Sequence, residues 1–210
     1  EAPEAAYRLA VARFRMGELD AAAQLASRLL ASQLPGTLAP DLYRLQVAVL
    51  RQRGQNRDAA SLLAAYLEKY PQDLKAHLDL LRLYFTMREY PALVSQTTRL
   101  TQQVPGLKDS DPYAYLLSSY LRGLAEIGRK QYSAALPALA LVTREGAEKA
   151  GLAAIFPYSL YYQAWAQYRL NQLKPAREKA ASLAEGFPAH PLFSDALYLA
   201  GWVSFALEDY

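Results

Sequence analysis

Apolar residues recur at intervals of three and four along nearly the whole chain, the mark of helices with one buried face, and no stretch alternates with the two-residue period of a strand. The clearest segment runs from Pro157 to Pro188. Two amphipathic runs there are interrupted once, around Asn171 to Leu173, and closed at Phe187-Pro188, which predicts a helical hairpin. Its landmarks are Ala164, Asn171 seven residues on, Ala176 five further and Pro188 twelve beyond that. Each has a physical reason. A small residue lets two helix backbones approach, a polar turn residue breaks the first helix, a second small residue admits the partner helix, and proline ends it.

The same offsets recur at Ala10, Gly17, Ala22; at Val47, Gly54, Ala59, Pro71; at Leu81, Arg88, Leu93, Pro105; at Gly123, Lys130, Ala135; and at Gly201 and Glu208. Two residues past each turn marker stand Leu19, Asn56, Tyr90, Tyr132, Leu173 and Tyr210, all but Asn56 large apolar or aromatic side chains able to plug a turn. The first slots lie 37, 34, 42, 41 and 37 residues apart, which predicts stacked helical hairpins with a period near the roughly 34 residues of such repeats. Five hairpins and half a sixth follow, over about 3–34, 40–71, 74–105, 112–146, 157–188 and 194–210.

On these residues the chain resembles the tetratricopeptide repeat family of bacterial type, whose pattern has a small residue before the turn, an aromatic after it, an alanine in the second helix and a closing proline. Val47 and Leu81 depart from the small slot, Leu93 from the alanine, and the fourth copy lacks its proline. The resemblance implies an all-α fold, a right-handed superhelical solenoid of stacked antiparallel helix pairs with about eleven helices, forming one domain over 1–210. It further implies a protein-binding scaffold that takes an extended peptide or a partner helix in the concave groove lined by first helices.

Composition agrees with helix: hydrophobic content is 52%, and alanine and leucine dominate. A net charge of +3 and a pI near 9.0 are too mild a basic excess to argue for nucleic acid, which wants a concentrated Lys/Arg stripe. The absence of cysteine removes disulfides, thiolate zinc sites and cysteine nucleophiles, and fits an envelope or a cytosolic address equally. No apolar run approaches the roughly 20 residues a membrane-spanning helix needs.

Local signals place the details. Pro3 suits a first helical turn, Pro35-Gly36 falls in the connector 33–40, and Asn56 or Arg57 lies near a helix start. Pro91 sits where a second helix begins, and Leu107 to Pro112 reads as a polar loop with Asp111 capping the next helix. Ser133 is expected to cap the second helix of the fourth hairpin, with Pro137 just inside it; residues 144–150 either extend that helix or loop out. A helix over about 194–207 closes the sequence without its partner, which suggests truncation of a longer protein or cover by another chain.

Tyr158, Tyr161, Trp165 and Tyr168 recur at 3, 4, 3 spacing on one helix face. Shifted by the repeat intervals, this column reads Asp195, Tyr198, Trp202, Phe205; Leu117, Tyr120, Leu124, Ile127; Lys75, Leu78, Arg82, Phe85; Asp41, Arg44, Ala48, Arg51; and Glu4, Tyr7, Val11, Phe14. Burying Arg51, Arg82 or Lys75 unpaired would cost several kcal/mol, so the column is expected to border solvent in the first three repeats and to form the groove wall. The expected partner-binding residues are Tyr120, Tyr158, Tyr161, Trp165, Tyr168, Arg169, Tyr198, Trp202, Arg44, Arg51 and Arg82. The competing reading makes the aromatic residues padding between neighbouring first helices. The family's lysine and asparagine clamp for a C-terminal carboxylate is not expected, because these first helices offer no asparagine.

His77 and His190 have no second ligand at metal spacing, Asp109-Ser110-Asp111 lacks the glycine and glutamate of a calcium loop, and no phosphate-cradling glycine motif occurs. No catalysis, cofactor or metal is therefore expected. The leading expectation is a non-enzymatic bacterial scaffold, the stretch Gly186 to Gly201 being similar to cell-envelope tetratricopeptide proteins, with a periplasmic or envelope address and a cytoplasmic one as the alternative. Rival expectations are an accessory helical region of a larger enzyme and a self-association module, a homodimer through the C-terminal half repeat.

Overall fold

A computed structural model describes residues 2–32 and 38–207. Thirteen helices fill them and the described residues hold no strand: α1 Ala2–Arg15, α2 Leu19–Ala31, α3 Ala39–Gln52, α4 Asn56–Lys69, α5 Leu74–Thr86, α6 Tyr90–Gln103, α7 Leu107–Ser110, α8 Pro112–Gly128, α9 Tyr132–Ala140, α10 Arg144–Lys149, α11 Ile155–Arg169, α12 Leu173–Gly186 and α13 Phe193–Ala206. The connector marked by Pro35-Gly36, the turn marker Glu208 and the plug Tyr210 lie outside the described residues.

All five turn markers that can be seen adopt left-handed backbone: Gly17 at φ 80°, Gly54 at 74°, Arg88 at 59°, Lys130 at 61° and Asn171 at 59°. At each, the next N–H reaches back to a carbonyl five residues earlier, Glu18 to Arg13 at 2.9 Å, Gln55 to Leu50 at 2.9 Å, Glu89 to Tyr84 at 2.9 Å, Gln131 to Glu126 at 2.8 Å and Gln172 to Gln167 at 2.8 Å. The marker's own N–H bonds the carbonyl three residues before it, as in Gly17 to Phe14 at 3.0 Å. These paired bonds are the Schellman cap, which satisfies carbonyls that the helix end would leave bare. Leu19, Asn56, Tyr90, Tyr132 and Leu173 then each open the following helix.

The chain forms two compact units, Glu1–Leu83 and Tyr84–Tyr210, and α5 runs across the division. In the first unit α1 packs on α2, α2 on α3 and α3 on α4. Its core includes Ala10, Ala26, Leu42 and Leu45, with Tyr7, Val11 and Phe14 against them. In the second unit α6 packs on α8, α8 on α9, α9 on α11, α11 on α12 and α12 on α13, so the second helix of each pair supports the first helix of the next. The spacing slots are core positions: Ala10, Ala22, Leu81, Ala59, Leu93, Ala135, Ala164 and Ala176 are fully buried, and Val47 nearly so. Gly123 shows why the slot is small, since a Cβ there would lie 2.5 Å from Leu139 Cγ. Gly201 is different; it is exposed, with no atom within 4 Å of where its Cβ would be.

Four local expectations are corrected. The helices number thirteen among the described residues, not eleven, because α7 and α10 are short extra helices. Residues 107–110 are helical instead of looped, since Leu107 is buried, and the expected Asp111 cap is present, its Oδ1 accepting from the Ala114 N–H at 2.8 Å. Gln131, not Ser133, precedes α9, because the turn at Lys130 places Tyr132 as the first helical residue. Residues 144–149 neither extend α9 nor loop out. They form α10, capped by Thr143 Oγ1 accepting from the Gly146 N–H at 3.1 Å, while Ser159 Oγ and Gln163 Nε2 donate to the Leu139 carbonyl at the end of α9, at 2.9 and 3.3 Å.

Candidate functional site

In the first unit the expected column lies on α3 and α5. Arg44, Ala48 and Arg51 recur one turn apart on α3, and they line a cavity of about 160 Å³ together with Tyr66, Lys75 and Asp79. Arg51 is exposed, and neither it nor Lys75 has an ion-pair or hydrogen-bond partner among the described residues. Arg82, also exposed, pairs with Asp79 at 3.3 Å. Lys75 was legible as a member of the column, although it falls outside the set of expected groove residues.

Arg44 is held differently. Its guanidinium meets Asp41 at 3.1 Å and Asp73 at 2.8 Å, and the buried Tyr66 hydroxyl donates to the same Asp73 oxygen at 2.6 Å. Asp73 Oδ1 also accepts from the Ala76 N–H at 3.1 Å, which caps α5. Burial by itself opposes charge on both partners. The hydrogen bonds from Tyr66 and Ala76 and the Arg44 charge nevertheless keep the Asp73 carboxyl below its ordinary value, and Asp73, Tyr66 and Asp41 hold Arg44 above its own. Burial, then the bond to Asp73, pushes the Tyr66 hydroxyl up. Beside this network Pro40, Tyr70 and Gln72 complete a shallow cleft of about 630 Å³.

In the second unit the column lies on α8, α11 and α13 and is aromatic. Tyr120 and Tyr161 are partly buried, and burial raises both hydroxyls. Tyr158 stands edge-on to His190, with centroids 4.6 Å apart. Trp165 and Tyr168 pack against the core of Ala164, Ala176, Ala180, Leu199 and Val203. Trp202 Nε1 donates to the Tyr168 hydroxyl at 2.9 Å, linking α13 to α11. Arg169 is exposed and lies over the rings of Tyr132 at 5.0 Å and Trp165 at 5.8 Å. Tyr198 is 74% exposed and Trp202 49%. Padding thus describes Tyr161, Trp165 and Tyr168 in part, whereas Tyr198 stands clear.

The histidines are structural. His77 is fully buried with Nε2 donating to the Pro71 carbonyl at 2.8 Å, and His190 Nδ1 accepts from the Leu192 N–H at 3.2 Å. Among the described residues no group of three or more His, Cys, Asp or Glu could hold a metal, and no helix is long and apolar enough to cross a membrane.

Capped hairpins whose second helices support the next first helices, with mixed cationic and aromatic columns on those first helices, define a helical-repeat protein of the class that works by presenting surfaces. The tetratricopeptide repeat model matches residues 4–33 and 158–190. Those two segments are tetratricopeptide repeats by sequence. Its fold is similar to that of MamA residues 41 to the end from Desulfovibrio magneticus RS-1, at 18% identity over 80% of this chain and 85% of that one, with a TM-score of 0.63. A tetratricopeptide repeat protein from Parabacteroides merdae ATCC 43184 aligns at 14% identity over 99% of this chain and 74% of that one, with a TM-score of 0.69. The apo form of RapI aligns at 10% identity over 100% and 73%, also at 0.69. No curated protein sequence matches the chain. The two matched repeats are the ones that keep an alanine at both small slots, Ala10 with Ala22 and Ala164 with Ala176.

Proposed function

We propose that the protein is a non-enzymatic scaffold that binds a peptide or partner helix along its first-helix column, and that its repeats act as one domain. The observation that carries this reading is the pair Arg51 and Lys75, two cations without partners facing one cavity on different helices. A surface kept only for solubility would disperse such charges, whereas a recognition surface holds them ready for carboxylates or backbone carbonyls. The aromatic column at Tyr158, Tyr198 and Trp202 supplies stacking area of the kind that anchors interfaces. A bacterial envelope assembly is the proposed setting, supported by the similarity of 186–201 to envelope members of the family.

Pull-down with the full-length protein, followed by titration of the captured partner against tryptophan fluorescence, tests it. Arg51→Glu with Lys75→Glu, and separately Trp165→Ala, are each expected to weaken partner binding at least tenfold. Unchanged affinity in both would discredit the column as the binding surface. Self-association through the half repeat is a second reading, favoured by the exposure of Leu197, Tyr198 and Trp202 at 49, 74 and 49%.

A further inference from the structure

We infer that the cavity between α3, α4 and α5 takes one apolar side chain of an acidic peptide, with a carboxylate one to three residues away in that peptide held by Arg51 and Lys75. This rests on the reading of the first-helix column as a binding surface and names the chemistry of what binds there. The cavity, of about 160 Å³, lies wholly within the first unit. Its lining divides by chemistry. Val47 of α3, Leu63 and Tyr66 of α4 and Ala76 of α5 are buried and make an apolar floor. Arg51 in the last turn of α3 and Lys75 in the first turn of α5 are exposed and stand at the edge. An apolar cavity of about 150 Å³ stays dry and accepts a molecule of benzene's size, so this one has room for a single side chain up to that of phenylalanine. Seating it removes apolar surface of both partners from water.

The cations select what flanks that side chain. The nearby carboxylates are already engaged, Asp41 and Asp73 by Arg44 at 3.1 and 2.8 Å and Asp79 by Arg82 at 3.3 Å. Arg51 and Lys75 have no ion-pair or hydrogen-bond partner among the described residues, and the cavity lining carries Arg44, Arg51 and Lys75 against Asp79 alone. A cation in the first turn of a helix opposes the macrodipole, so Lys75 does not stabilise α5 by its charge. An anion arriving beside it answers both Lys75 and Arg51, whereas a cationic segment is repelled and a neutral one leaves both charges unmatched. In an extended peptide one to three residues span about 3–10 Å, the reach of long side chains around one cavity. The carboxylate is that of an aspartate or glutamate within the peptide, so no free C-terminus is required.

Random peptides of roughly twelve residues displayed on phage, panned against the immobilised 210-residue chain at low salt, test the pairing of chemistries. The enriched sequences are expected to share an apolar residue with aspartate or glutamate within three positions. A fluorescein-labelled, C-terminally amidated synthetic copy then serves as the probe in anisotropy titrations. Its affinity is expected to fall several-fold on raising the salt to about 0.5 M. Ala48→Leu, which fills the cavity from its α3 wall, and Arg51→Glu with Lys75→Glu should each weaken it at least tenfold, with circular dichroism checking that both variants fold. A probe whose acidic residues are replaced by lysine should lose wild-type binding and regain it on the Arg51→Glu, Lys75→Glu variant. Enriched peptides that lack acidic residues, ignore Ala48→Leu and lose binding in Trp165→Ala overturn this inference alone and leave the column as a binding surface. A probe that binds only with a free C-terminal carboxylate overturns it too. Panning that enriches no sequence also overturns it, while capture of a partner whose binding weakens in Trp165→Ala would still uphold the broader reading.

Discussion

Asp73 joins three helices with one carboxylate: Tyr66 from α4 and Arg44 from α3 donate to Oδ2, and the Ala76 N–H of α5 donates to Oδ1. Hydrogen bonds to a charged acceptor contribute about 1.5–3 kcal/mol, and removing this acceptor also strands a buried tyrosine hydroxyl. Asp73→Ala is therefore expected to cost about 2–3 kcal/mol at neutral pH, measured by urea unfolding. The pH dependence has a definite sign. The folded carboxyl titrates below its ordinary value, so the unfolded chain binds the proton more tightly and protonation favours unfolding. The contribution is fully present above about pH 4, near the unfolded value, and is lost as pH falls through the folded one. The gap between wild type and Asp73→Ala should then narrow on acidification; a gap that is constant or widens from pH 7 to pH 3 would refute the linkage. Nothing local in the sequence marks this residue beyond a helix start. Its partners lie 7 and 29 residues before it, and only folding brings them to one oxygen.

At the scale of elements, the turns were the most legible feature, because one backbone conformation had to be reached by whatever residue stood there. Gly17 and Gly54 reach it freely, Asn171 tolerates it, and Arg88 and Lys130 are held there by the same pair of capping bonds. Gly54→Ala is expected to cost about 1 kcal/mol, since its Cβ would meet open space and only the backbone conformation is penalised. Lys130→Gly is expected to gain about 0.5 kcal/mol, relief of the left-handed strain exceeding the added freedom of the unfolded chain. Thermal melts of both variants check this, and a loss of stability at Lys130→Gly would mean that its side chain contributes something the turn geometry does not show. The short helices α7 and α10 were illegible for the opposite reason. Each is too brief to display a helical period, and each has a single buried side chain, Leu107 or Ala147, with a side-chain cap, from Thr143, at α10 alone of the two. The columns on the first helices could be read as faces, but which of their side chains stand open depends on the neighbours: Tyr161 packs against a core while Tyr198, at the equivalent point one repeat on, is exposed.

At the scale of the whole molecule, the proposed unity of the repeats has a measurable consequence, because the chain's two tryptophans, Trp165 and Trp202, both belong to the second unit. Tryptophan fluorescence therefore follows Tyr84–Tyr210 alone, whereas far-ultraviolet circular dichroism follows helices in both units. The helix α5 continues from Leu74 to Thr86 across the division at Leu83 and Tyr84. Unfolding one unit alone would have to end α5 inside the helix, exposing carbonyls and N–H groups that have no cap there and leaving a stub of helix too short to stand in water. The two probes are expected to report the same urea midpoint and the same slope. A fluorescence transition displaced from the dichroism transition by more than about 0.5 M would show units that unfold separately, and the repeats would then be two domains instead of one.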